Sequence, residues 1–220
     1  MKRILIVAIL IIVILNFMSF NKPEITGYTT NTGGVASLTV LKTRPPCSFD
    51  LLPQWNFISI CADAYNTSVV SMTSDFSSKY QYILRWNDTM QAYEVYSIYA
   101  IYKPFIDFNN NESYFFYMTD SAQWDINGTL RGDLALPLIN QENAPAYPYE
   151  LTGNVSRYLV TIDGKYEYMM KWDATTQSYS LWSIYAIYKP FNQIFKGEGQ
   201  FIYVNDTSAL LSYNRTFVTS

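Results

Sequence analysis

The chain has 220 residues, 49% of them apolar, 17% aromatic and 15% charged, which excludes a disordered chain and allows a core for one or two domains. Its net charge is −3, or about −5 once the cations Lys2 and Arg3 are set aside; that sign repels phosphate backbones, so no nucleic acid partner is expected. Histidine is absent, which removes Ser-His-Asp and Cys-His catalysis and most transition-metal sites.

In chain order, the first feature is a targeting segment. Lys2 and Arg3 precede an unbroken apolar run from Ile4 to Leu15, with Asn16–Phe20 behind it. The positive-inside tendency places the N-terminus in the cytoplasm and the rest of the chain outside. Residues 1–20 are read either as a cleaved signal peptide or as an uncleaved anchor in which residues 4–20 contact the bilayer. The anchor is favoured because no small-x-small cleavage site follows the run. Residues 21–46 form a leader or linker with room for a strand.

Two homologous β modules are expected after it, at 47–130 and 131–220. The only cysteines, Cys47 and Cys61, are expected to form a disulfide in an oxidising compartment. From Lys79 the chain repeats itself at an offset of 86, expected to run without gaps to about Leu130. Sixteen of the 27 positions from Lys79 to Phe105 recur, and Ser97–Phe105 returns unchanged as Ser183–Phe191. Alternation through Tyr80, Tyr82, Leu84 and Trp86, and through Tyr166, Tyr168, Met170 and Trp172, predicts a half-buried strand in each copy. Hairpin loops are predicted over 87–91 and 173–177, further strands over 114–118 and 200–204, and a short helix within 67–78. The fold class is therefore mainly β, or α+β with a short helix per repeat.

The run Ser-Ile-Tyr-Ala-Ile-Tyr-Lys-Pro-Phe is apolar on both faces when read as a strand, which predicts burial between layers. A tyrosine platform for sugar rings or a partner strand is the alternative. The positions that vary between copies, Tyr96/Trp182 and Ile83/Met169, are the expected exposed binding surface.

No catalytic, cofactor-binding or metal-ligating residues are expected, and no cofactor. Asp107, Asn109 and Asn111 have a fragment of calcium-loop spacing, but Glu112 replaces the required glycine. Arg131-Gly132-Asp133 is a three-residue coincidence in a linker. Glu112, Glu198, Asp120 and Asp206 are read as exposed loop acids with ordinary pKa values. Gly132–Leu138 stands where the second copy should open, without a tryptophan. Sequons occur at Asn66, Asn87, Asn111, Asn127, Asn154, Asn205 and Asn214, candidates for glycosylation.

The stretches Trp55-Asn-Phe-Ile-Ser-Ile and Asn111-Glu-Ser-Tyr-Phe-Phe-Tyr-Met resemble the opening and closing strands of tandem repeats in archaeal and bacterial cell-surface proteins. Ile25–Val40 resembles leaders of archaeal surface proteins. The resemblance implies an extracellular β module in adhesive or envelope proteins, with glycans or other surface proteins as partners. The expected function is thus a membrane-anchored, glycosylated surface protein with a structural or adhesive role. A secreted carbohydrate-binding module is the alternative, and a glycoside hydrolase acting through paired acids a further one.

Overall fold

The computed structural model describes residues 47–149 and 151–214. The expected span at 4–20 and the leader at 21–46 lie outside the described residues. Among the described residues no helix is long and apolar enough to cross a membrane.

The protein is mainly β. Copy one runs β1 (Cys47–Leu51), β2 (Gln54–Ser59), β3 (Ala62–Ala64), a helical turn Val69–Met72 with a 3-10 turn Ser74–Phe76, β4 (Tyr80–Asn87), β5 (Ala92–Ser97), β6 (Ser113–Met118), β7 (Ala122–Ile126) and β8 (Gly128–Leu130). Copy two runs β9 (Leu134–Pro137), β10 (Gln141–Asn143), β11 (Gly153–Asn154), a helical turn Val155–Tyr158 with a 3-10 turn Val160–Ile162, β12 (Tyr166–Asp173), β13 (Ser178–Ser183), β14 (Gln193–Ile194), β15 (Gln200–Val204) and β16 (Leu210–Tyr213). Each copy has one antiparallel four-stranded sheet, ordered β2-β6-β4-β5 and β10-β15-β12-β13. Each also has a two-stranded ribbon, β1 with β7 and β9 with β16.

The equivalence of the copies extends to their opening strands. Asn56 donates from Nδ2 to the carbonyls of Leu52 and Gln54, and its Oδ1 accepts from Leu52 N. Asn143 repeats all three bonds with Ile139 and Gln141. The second opening strand is therefore β10, and Gly132–Leu138 instead carries β9, the counterpart of β1. Here the offset is 87, because one residue drops out again before the helical turns, where Val69 matches Val155. The repeat is also not ungapped at its far end. Lys79 Nζ reaches Ser121 O, whereas Lys165 Nζ reaches Ser208 O, which places one inserted residue after Asp206.

A bulge corrects the face assignment of the long central strands. The register shifts between Tyr80 and Tyr82, and between Tyr166 and Tyr168. An extra residue there re-aims every side chain beyond it. Tyr80 and Ile83 consequently both enter the core of copy one, while Leu84 and Trp86 face the other copy. Tyr166 and Met169 enter the core of copy two in the same way, and Met170 and Trp172 face outward from it.

Between the two copies lies a third cluster, built on Phe57, Phe115, Ala144 and Phe201. Phe57 stacks on Phe115 at 4.1 Å and on Phe201 at 4.9 Å. Backbone pairing crosses the same junction, from Ser59 N to Gly197 O and Gly199 N to Phe57 O on one side. On the other, Ser113 N reaches Ala144 O and Ala146 N reaches Asn111 O.

A reciprocal clamp completes the junction. Trp86 Nε1 and Gln91 Nε2 both donate to Glu142 O, and Gln91 Oε1 accepts from Glu142 N. Trp172 Nε1 and Gln177 Nε2 donate to Trp55 O, and Gln177 Oε1 accepts from Trp55 N. Each glutamine amide thus pairs with a backbone amide of the opposite copy as a neighbouring strand would. Gln91 and Gln177 hold φ at +52° and +53°, an uncommon conformation for a side-chain-bearing residue. The clamp explains why Trp and Gln are identical in both copies: they hold the copies together.

Candidate functional site: two identical exposed loops

The nine-residue run that recurs unchanged is not a buried strand. Only its first residue closes β5 or β13, and the remainder is loop. Ser97 begins the turn: its carbonyl accepts from Ala100 N at 3.2 Å and its Oγ accepts from Tyr99 N at 3.3 Å. Ser183 does the same for Ala186 and Tyr185. Ile98 and Ile184 pack against their own cores, and Phe105 is buried at the far root.

Between these anchors the apolar side chains point into solvent. Tyr99, Ile101 and Tyr102 are 78%, 105% and 78% exposed, and Tyr185, Ile187 and Tyr188 are 74%, 106% and 78% exposed. Behind each tip a lysine lies over an aromatic ring, Lys103 over Tyr96 at 5.3 Å and Lys189 over Trp182 at 4.7 Å. An isoleucine left wholly in water forgoes about 1.5–3 kcal/mol of burial, so packing does not account for its identity in two copies. The contrast lies with the core, where Ile83/Tyr96 becomes Met169/Trp182. Buried positions have drifted and exposed tips have not. Clustered exposed apolar side chains of this kind mark interaction surfaces.

The expected surface at Ile83, Tyr96, Met169 and Trp182 is overturned. These residues are at most 3% exposed, because the bulge turns Ile83 and Met169 inward and each pairs across the sheet with Tyr96 or Trp182. Variation there reflects repacking of similar volume. The exact recurrence of Tyr99–Pro104 is the sequence signal of this surface, and its apolar composition is indistinguishable from that of a core strand.

The remaining candidates fall in several places. Cys47 and Cys61 form a disulfide, with Cα atoms 5.4 Å apart. Among the sequons, Asn66, Asn127, Asn154 and Asn205 are exposed, while Asn87, Asn111 and Asn214 are half-buried. Asn154 caps the helical turn of copy two, accepting from Ser156 N and Arg157 N. Asn111 Oδ1 accepts from Arg131 Nη2. Arg131 is itself buried, paired with Asp63 at 3.1 Å and donating to Asn110 O, so its guanidinium is withdrawn from solvent.

The four repeated acids are not one class. Glu112 is half-buried, and burial raises its pKa above the usual carboxylate range, opposed by hydrogen bonds from Asn109 and Tyr114 and by the charge of Arg85. That departs from the expectation of an ordinary exposed acid. Glu198 is also half-buried and forms an ion pair with Lys171 at 2.7 Å. Asp206 is lowered by hydrogen bonds from the Ser208 hydroxyl and backbone. Asp120 is exposed and accepts from Ser121 N. No family model, curated protein or solved structure matches the chain.

Proposed function

We propose that the chain is an exported surface protein whose work is adhesion, with two equivalent loops presenting the same contact twice. The supporting observation is the identity of Tyr99–Pro104 and Tyr185–Pro190, whose large apolar side chains Tyr99, Ile101, Tyr102, Tyr185, Ile187 and Tyr188 stand in solvent where no core constrains them. Further support for an extracellular location comes from the disulfide, a bond that persists in oxidising compartments. The exposed sequons and the basic-apolar N-terminal segment point the same way. In this reading activity resides in surfaces and the protein is not an enzyme. Its partners are glycans or other surface proteins, in keeping with the resemblance to cell-surface repeats.

Two copies of one loop make binding bivalent, and bivalency sets the test. Serine would replace Tyr99, Ile101 and Tyr102 in one variant, Tyr185, Ile187 and Tyr188 in a second, and all six in a third. Retention of the intact purified chain on isolated cell envelopes is then measured. Either single-loop variant should lose roughly 10²–10⁴-fold in apparent affinity, and the six-fold variant should not be retained. Retention of the six-fold variant at the wild-type level would sink the proposal.

A further inference from the structure

A second feature breaks the symmetry of the two copies. Beside the clamp of copy two, β1, β2 and β12 border a cleft of about 600 Å³ whose walls include Trp172, Phe191, Ser180, Asp173, Lys196 and Lys171. That volume lies within the range of small-molecule sites, roughly 300–1,000 Å³. Copy one places a larger, ion-paired side chain at the corresponding position. Glu94 occupies the position of Ser180, held by Arg85 Nε at 2.7 Å and by Asn87 Nδ2 at 3.1 Å. In copy two the carboxylate is gone, and Lys171 turns instead to Glu198 and to the carbonyl of Gln193 at 3.1 Å. Gly197 replaces Asn111, and a Cβ there would lie 2.0 Å from the Phe49 ring, so the glycine admits that ring to the wall.

We propose that this cleft is a binding site for a short neutral oligosaccharide. Its lining alternates aromatic surface with hydroxyl, carboxylate and ammonium groups, which matches a pyranose with apolar C–H faces and a polar rim. The Trp172 indole is fixed by its bond to Trp55 O, and Lys171 packs over the Phe191 ring at 4.8 Å. These platforms are set before any ligand arrives, which lowers the cost of binding. Ser180 Oγ and Lys196 Nζ have no hydrogen bond or ion pair among the described residues and are open to sugar hydroxyls. Neither sign of charge dominates the wall: Lys171 is neutralised by Glu198, and the cleft carries the carboxylate of Asp173 as well as the ammonium of Lys196, which suits a neutral ligand.

The test titrates the intact chain with maltotriose, cellotriose and mannotriose, following tryptophan fluorescence and binding heat. At least one should give a saturable signal. The double variant K171R/S180E rebuilds the ion pair of copy one and should weaken that binding at least tenfold. Should it lose its near-UV circular dichroism, Ser180→Gln, which adds bulk without charge, answers the same question. Serine at all six loop positions, Tyr99, Ile101, Tyr102, Tyr185, Ile187 and Tyr188, should leave saccharide affinity within twofold while abolishing envelope retention, so failure of the loop reading and of the cleft reading are separable. No saturable signal from any of the three sugars, or wild-type affinity in a folded filled-cleft variant, would overturn the proposal.

Discussion

Copy one and copy two share every major strand but hold their interiors by different means. Copy one ties β1 to the connection between β2 and β3 with the Cys47–Cys61 disulfide and packs Phe49, Phe76, Phe108 and Phe116 around Trp124. In copy two Leu134 stands where Cys47 does, and the chain has no third cysteine. Its interior instead holds buried tyrosines that answer one another. Tyr158 and Tyr213 hydroxyls lie 2.6 Å apart, Tyr213 donates to Ala146 O, and Tyr147 donates to Leu151 O. Buried hydroxyls are tolerable only when paired in this way. A β frame is therefore compatible with two kinds of core, one covalently closed and one polar, while the junction between them allows no such freedom.

That difference can be broken at three levels. The largest effect is expected at the junction, where Trp86→Ala and Trp172→Ala should each cost about 3–5 kcal/mol. Both remove an aromatic packed against the shared cluster and one of the two side-chain donors to a carbonyl of the opposite copy. Because each clamp grips the opposite copy, either variant should lower one common unfolding transition in denaturant rather than one of two. A wild-type midpoint in either variant would show that the clamp does not carry the coupling between the copies. Next in size is the disulfide. Cys47→Ser with Cys61→Ser should cost about 3 kcal/mol by freeing a loop of about 15 residues in the unfolded chain. Hydrogen exchange should then rise in β1, β3, β7 and β8, with little change in the copy-two strands β9 and β16. Equal loosening of β9 and β16 would contradict a disulfide whose effect is confined to copy one.

The strands β4, β5 and β6 with their copies β12, β13 and β15, the two hairpin loops and the helical turn within 67–78 were legible in the sequence because each rests on local chemistry. Alternating apolar residues, asparagine- and aspartate-bearing loops and a recurring register left few alternatives. Three things were not legible, for physical reasons. A bulge at Tyr80–Tyr82 shows as no break in the alternation, yet it exchanges the faces of Ile83 and Trp86. Trp86 and Gln91 bind a backbone amide in the other copy, and a backbone acceptor leaves no trace in side-chain pattern. Finally, apolarity alone cannot distinguish a core segment from an adhesive tip. Tyr99–Tyr102 has a core composition, and only its freedom from change between copies set it apart.

The smallest effect concerns a single acid. Asp88, in the copy-one hairpin loop, faces the junction where copy two has Ala174. Burial pushes its carboxyl up to about 6, a backbone hydrogen bond from Ala144 opposes the shift, and the Glu112 charge adds to it. In the unfolded chain an aspartate titrates near 3.9. Between those values the folded chain binds the proton and the unfolded chain does not, so stability falls as pH rises from about 4 to about 6. Above that window the ionised, partly buried carboxylate is a standing cost. Asp88→Ala gives copy one the residue of copy two and removes the cost, so at pH 7 it should stabilise the protein by on the order of 1 kcal/mol. The gain should fade to nothing below about pH 4, where Asp88 is protonated in both states. Glu112 and Glu142 are also raised by burial and slope the same way, so the informative quantity is the difference between variant and wild type. Denaturant midpoints at half-unit steps from pH 3.5 to 7.5 supply it. A constant difference across that range would mean that Asp88 titrates alike in both states and that burial at the junction does not perturb it.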